Sequence, residues 1–125
     1  MERNLYLNKL IRKKHNGMIK VVTGLRRVGK TYLLFELFYE HLKSCGVDDA
    51  HIIKLSLDDF KNREYRNPNV LYHYVTSLII DESPYYVLLD EVQFLESFEE
   101  ILNSFLHIKN LDVYVTGSNA KFLSK

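Results

Sequence analysis

The run Gly24-Leu25-Arg26-Arg27-Val28-Gly29-Lys30-Thr31 has the spacing G-x-x-x-x-G-K-T, and these residue types suit the cradling of a phosphate chain. Glycines let the backbone come close to an anion. Successive backbone N–H groups then converge on it, and the positive N-terminal end of a following helix adds to the attraction. In such a loop Lys30 reaches the β- and γ-phosphates and Thr31 offers its hydroxyl to Mg²⁺, so the binding stretch runs from Gly24 to Thr31 and on to Tyr32. Further downstream, Tyr85-Tyr86-Val87-Leu88-Leu89 is an apolar run of strand length that ends in Asp90-Glu91. A buried strand of this kind delivers two acids to its C-terminal edge, where open α/β sheets bind ligands. Asp90 would hold Mg²⁺ through water together with Thr31, and Glu91 would polarise an attacking water. A third polar tip, Gly117-Ser118-Asn119, closes the run Leu111–Thr116. Asn119 there either hydrogen-bonds a γ-phosphate or the attacking water, or belongs to a plain turn.

The flanking residues have the order that a phosphate loop needs. Before it, Met18-Ile19-Lys20-Val21-Val22-Thr23 is rich in β-branched residues and predicts a buried parallel strand. After it, Leu33, Leu34, Leu37, Phe38 and Leu42 recur at helical spacing, and Gly46 suits a left-handed helix stop. Residues 3 to 15 read as a short helix with Leu7, Leu10 and Ile11 on one face. Its last turn carries Arg12-Lys13-Lys14-His15, cations that suit a negative helix end, and Asn16-Gly17 stops it. The alternative for that basic run is a contact to nucleic acid or acidic lipid.

Further along, His51-Ile52-Ile53-Lys54-Leu55-Ser56-Leu57 is a second strand, followed by a charged, aperiodic segment, Asp58 to Asn67, that reads as an exposed loop. Asp58 and Asp59 in that segment are either metal ligands or, as is usual at a strand end, a solvated pair or a cap. Asn67-Pro68 is a helix start, with Asn67 as the cap and Val70, Leu71, Tyr74, Val75, Leu78 and Ile79 as the apolar stripe. His73 falls off that stripe and reads as a surface residue. Ser97-Phe98-Glu99-Glu100 has the form of a capping box that opens a helix carrying Phe98, Ile101, Leu102, Phe105 and Leu106.

Bulk properties narrow the class. At 125 residues with 46% hydrophobic and 26% charged residues, the chain is one globular domain, read as an N-terminal helix over 1–17 and a core over 18–125. No apolar run is long enough to span a membrane and the charged start lacks a signal-peptide core, which points to a cytoplasmic protein. The formal charge of +1 makes no global case for nucleic acid. The single cysteine, Cys45, reads as a core or helix-end residue rather than a nucleophile.

With these motifs in hand, the chain resembles the AAA-type branch of P-loop ATPases, and more narrowly the prokaryotic ATP-binding proteins whose Walker A loop reads G-[LI]-R-R-x-G-K-[ST]. The matching residues are Gly24 to Thr31, the Walker B run Leu88-Leu89-Asp90-Glu91-Val92-Gln93, and Thr116-Gly117-Ser118-Asn119-Ala120. The last resembles the sensor-1 element and assigns Asn119 a phosphate-sensing role. The resemblance implies a three-layer αβα sandwich with a mainly parallel sheet in the order 5-1-4-3-2, binding of ATP and Mg²⁺, and ATP hydrolysis with Glu91, Lys30 and Asn119 as catalytic groups. Such proteins also carry a fifth strand, an arginine finger, a helical lid and commonly a C-terminal domain beyond this point. Without them the strand at 18 to 23 is a sheet edge, the chain reads as a truncated core, and turnover is expected to be slow or absent. A homo-oligomer, or a protein or nucleic-acid partner engaged through the missing C-terminal domain, is the expected context. Two other readings stand beside hydrolysis, a nucleotide-binding switch and a small-molecule kinase. A GTPase is disfavoured because no Asn-Lys-x-Asp comes after a strand. Arg26 and Arg27, unusual inside such a loop, either contact a neighbouring subunit, the base or a partner, or pair at the surface.

Overall fold

Four parallel strands order this chain, and their period-two alternation sorts its side chains onto two faces. A computed structural model describes residues 2–23 and 27–117. The strands are β1 (Lys20–Val22), β2 (Ile52–Ser56), β3 (Tyr85–Asp90) and β4 (Leu111–Thr116), in the spatial order β1-β4-β3-β2. All three neighbouring pairs are parallel, with Lys20 opposite Tyr114, Leu88 opposite Tyr114 and Ser56 opposite Asp90. This is the expected order 1-4-3-2, with β1 at an edge among the described residues. The β1 strand is shorter than the six residues expected, because only Lys20, Val21 and Val22 find partners on β4 while Met18 is exposed.

Because successive strand side chains alternate, Tyr85, Val87 and Leu89 of β3 and Leu111, Val113 and Val115 of β4 face one way. They pack under α3 (Pro68–Leu78) and α4 (Phe98–Phe105), which contribute Leu71 and Val75, and Phe98, Ile101, Leu102 and Phe105. The other face carries Val22, Ile52, Tyr86, Leu88 and Tyr114. It is covered by Leu10 of α1 (Glu2–Arg12) and by Leu33, Leu34, Phe38 and Leu42 of the helix over 27–44, here α2. Helices on both sides of a parallel sheet give the αβα sandwich, and β3 and β4 are buried along their whole length because neither face meets water.

The helix α2 is one continuous rod with a wider middle. Arg27–Tyr32 and Tyr39–Ser44 are α-helical, while Leu33–Phe38 between them is π-helical, a form concentrated at functional sites. It ends as its sequence predicts. Gly46 adopts φ 92°, its N–H donates to Lys43 O, and the Val47 N–H donates to Leu42 O, the paired bonds that close a helix through a left-handed glycine. Cys45 sits at that helix end, exposed rather than in the core.

Several expectations are revised. The segment after β2 is not aperiodic: Phe60–Arg66 forms 3₁₀ turns, capped by Asp59, whose side chain accepts from the Lys61 N–H. His51 precedes its strand in a short turn, where it bridges Asp48 and Asp81. Val70 and Leu78, assigned to the buried stripe of α3, are exposed, and His73 is on the surface as read. Asn67 caps α3 as expected, its side chain accepting from the Asn69 and Val70 N–H groups. Ser97 does not make a capping box. It takes φ 52°, ψ 43°, whereas a side-chain cap needs an extended backbone to aim its oxygen at the N2 or N3 N–H. The first turn closes instead through the Ser97 carbonyl, which accepts from the Glu100 and Ile101 N–H groups.

The basic turn before β1 is only partly solvated. Lys14 Nζ donates to His41 Nε2 at 2.8 Å. His15, at φ 61°, places its N–H 2.8 Å from Asp112 Oδ2 and its ring against Tyr86, whose hydroxyl lies 2.7 Å from Nε2. Asp112 also accepts from Lys20 Nζ at 2.5 Å and from the Tyr114 hydroxyl at 2.6 Å. Lys20 and Asp112 are both buried, so the pair needs these extra donors, together with the Asn16 side-chain oxygen that Lys20 also reaches. This cluster lies at the N-terminal end of the sheet. The chemistry lies at the other.

Candidate functional site

At the C-terminal edge of the sheet the strand alternation decides which acids meet which loop. On β3 the residues facing α2 are Tyr86, Leu88 and Asp90. On β4 they are Asp112, Tyr114 and Thr116, and the register sets Thr116 one step past the Leu89–Val115 pair, beside Asp90. The start of α2 supplies Lys30 and Thr31 to the same place.

There the polar groups are bonded to one another. Thr31 Oγ1 lies 2.9 Å from Asp90 Oδ2 and 3.1 Å from Oδ1, and donates to the carboxylate. Thr116 Oγ1 donates to Asp90 Oδ1 at 2.5 Å and accepts from the Glu91 N–H at 2.9 Å, so one buried hydroxyl ties both acids to the end of β4. Lys30, only 1% exposed, donates from Nζ to the Gly117 carbonyl at 2.9 Å. Glu91 takes a left-handed backbone, φ 57° and ψ 57°, which turns the chain sharply out of β3, and its carboxylate accepts from Gln93 Nε2 at 2.7 Å. A left-handed backbone at a residue other than glycine is uncommon and persists where the surroundings enforce it. Here the Thr116 hydroxyl on its N–H and the buried Val92 after it provide that constraint.

Electrostatics at this edge disfavour a bare charge on Asp90. Burial holds its carboxyl above the usual carboxylate range. The Thr116 and Thr31 hydroxyls pull it down, and the nearby charges of Glu91 and Asp58 push it further up. Two hard oxygen donors, the Thr31 hydroxyl and the Asp90 carboxylate, thus meet where a cation would relieve the charge of the ionised acid, and that donor set fits Mg²⁺. Among the described residues no cluster of three or more His, Cys, Asp or Glu could hold a metal, and no helix is long and apolar enough to cross a membrane.

Of the residues singled out from the sequence, the structure brings Lys30, Thr31, Asp90 and Glu91 together, and Gly29 lies within the first turn of α2 beside them. Tyr32 is next on the same helix, 42% exposed. Arg27 and Val28 open that helix. Gly24, Leu25, Arg26 and Asn119 lie outside the described residues. Sequence reasoning missed Thr116 and Gln93 as members of the site, although both fall inside the matching motifs. A threonine as the last residue of the strand paired with the acid-bearing strand is the signal for the first. A glutamine two residues past the second acid is the signal for the second.

Known proteins resemble this chain over most of its length. The family described as "AAA domain" matches residues 16–125. An uncharacterized protein of Haemophilus influenzae is 31% identical over 125 residues, which is 99% of this chain and 31% of that protein. An uncharacterized protein of Methanocaldococcus jannaschii is 30% identical over 111 residues, 86% of this chain and 22% of its own. The chain therefore spans about a third or less of the length of these relatives. No solved structure matches it.

Proposed function

Because the chain belongs to the AAA domain family, we propose that it binds ATP with Mg²⁺ through residues 24–32 and Asp90, and that it hydrolyses the γ-phosphate bond. The observation that carries this reading is the meeting of Thr31 with Asp90, with Lys30 held alongside at the end of β4. A phosphate loop and an acid-bearing strand that served separate ends would have no reason to converge there.

In this reading Lys30 exchanges the Gly117 carbonyl for phosphate oxygens, since an ammonium satisfied by one neutral carbonyl gains more from an anion. Thr31 and Asp90 hold the metal, which when bound offsets charge on the phosphates. Glu91, beside Asp90 at the strand end, accepts a proton from the attacking water. Asn119 contacts the γ-phosphate or that water. Water is the nucleophile in this reading, with Glu91 as its base. An arginine supplied in trans at such a site is worth about 10³ to 10⁵ in turnover. Coupling to a protein or nucleic-acid partner, and assembly into a homo-oligomer, belong to the longer context that the relatives' length suggests.

Calorimetric titration with ATP and GTP, with and without Mg²⁺, tests the reading directly. Magnesium-dependent binding of ATP that Lys30→Ala abolishes is the expected result. A folded chain that binds neither nucleotide, or binds equally well after Lys30→Ala, overturns it.

A further inference from the structure

Glu91 is buried, at 1% exposure, so whatever aims its carboxylate must reach it from within the protein. The 3₁₀ turn Val92–Phe94 does so. The Phe94 N–H donates to Glu91 O at 3.1 Å and the Leu95 N–H to Val92 O at 2.9 Å, which folds the chain back over residue 91. Val92 and Leu95 are anchored in the core beneath α3 and α4, and the Glu96 N–H donates to Arg66 O at 3.0 Å. A turn pinned at these points leaves Gln93 little freedom, and its Nε2 sits 2.7 Å from Glu91 Oε1. The reach is short and local, with donor and acceptor two positions apart and held by the left-handed step at Glu91.

We propose that Gln93 is a positioning residue, whose side-chain amide holds Glu91 Oε1 and so fixes the rotation of the carboxylate for proton transfer from water. The inference rests on the hydrolytic reading of Glu91. A carboxylate that can rotate presents the wrong oxygen or the wrong lone pair for much of the time, and proton transfer needs donor and acceptor within hydrogen-bond reach in a set direction. Thr116 holds the same residue from the backbone side through the Glu91 N–H, so Glu91 is gripped at both ends. The Gln93 amide donates to Glu91, whereas Lys30 is held by Gly117 and Thr31 by Asp90. Its effect is expected on turnover rather than on nucleotide affinity, since the group it holds is the one that takes the proton from water.

The test is a double-mutant cycle between Gln93→Met and Glu91→Gln, read by single-turnover hydrolysis of γ-labelled ATP, which detects slow cleavage, and by the dissociation constant for Mg-ATP. Methionine keeps the length and volume of glutamine and removes the donor. Gln93→Met is expected to lower the cleavage rate by about ten- to a hundredfold, the range for losing one hydrogen bond to a charged group, with affinity unchanged within about twofold. In the Glu91→Gln background the same substitution is expected to have no further effect, because its route of action is gone. A merely structural role would lower both backgrounds alike. Gln93→His, which restores a ring N–H donor of similar reach, is expected to recover part of the rate. An unchanged or faster rate in Gln93→Met, or an equal loss in both backgrounds, overturns the positioning role while leaving the hydrolytic reading intact. If Glu91→Gln leaves cleavage at the parent rate, or the parent cleaves no ATP, the hydrolytic reading fails and the positioning role falls with it.

Discussion

Replacing Thr116 by valine removes one hydroxyl from the interior while keeping the shape of the side chain. Thr116 is fully buried, and its Oγ1 is both the 2.5 Å donor to Asp90 Oδ1 and the acceptor of the Glu91 N–H. Valine therefore leaves a buried backbone N–H without that acceptor, and a buried carboxylate with one donor fewer. A hydrogen bond to a charged group contributes about 1.5–3 kcal/mol, and an unsatisfied buried donor costs about 1–3 kcal/mol. Asp90 keeps Thr31 and can shed part of its burden by protonating, so a combined loss of about 3 kcal/mol is the working figure. That is a large part of the roughly 5–15 kcal/mol that holds a domain folded. With a urea dependence of about 1.5 kcal/mol per molar, the unfolding midpoint falls by about 2 M. Circular dichroism is the suitable probe, since the chain has no tryptophan. Thr116→Ser is the control, as it keeps the hydroxyl and deletes only the methyl, for about 1 kcal/mol. If Thr116→Val unfolds at the midpoint of Thr116→Ser or above it, the hydroxyl does not bridge the two acids and the reasoning fails.

Groups away from the site give two further expected outcomes. Lys20→Met leaves Asp112 buried with the His15 N–H and the Tyr114 hydroxyl as its donors, and should destabilise the chain by about 3 kcal/mol. Adding Asp112→Asn should recover more than half of that loss in urea unfolding, and a double variant no better than the single one would show that the charge pairing is immaterial. His51 is held above the ordinary histidine value, chiefly by its 2.5 Å bond to Asp48 and also by Asp81. Its stabilising effect is therefore complete below the ordinary histidine value and is lost as pH rises through the higher folded-state value. The urea midpoint should fall as pH rises above the ordinary histidine value by more in the parent than in His51→Gln, and equal slopes would show that the bridge between Asp48 and Asp81 is energetically silent.

Local composition determines the phosphate-loop spacing, the strand ending in Asp90-Glu91, the Asn67-Pro68 helix start and the Gly46 helix stop. Each depends on interactions within a few residues: backbone capping, a left-handed glycine, or an apolar run too short for a helix. The capping box expected at Ser97 fails for the complementary reason. A pattern of side chains can propose a cap, but Ser97 takes a left-handed backbone, φ 52° and ψ 43°, where a side-chain cap needs an extended one, and it makes no cap bond. Likewise, nothing local distinguishes His15 from the lysines before it. Its bond to Asp112 spans almost the whole chain and exists because β4 lies between β1 and β3.

The site divides along the same line. The identities of Lys30, Thr31, Asp90 and Glu91 are matters of sequence, because residue type and spacing limit the chemistry they can do. That Thr116 is the hydroxyl joining the two acids was decided only by the parallel register of β3 and β4, which sets its side chain on the α2 face one step beyond Val115. That Gln93 reaches Glu91 was decided by the left-handed backbone at residue 91 and by the burial of Val92 and Leu95, which fold the turn back on itself. Spacing along the chain names the groups available for chemistry. Which of them touch depends on strand order, register and the buried contacts that fix each turn, and those are settled by packing between segments far apart in sequence.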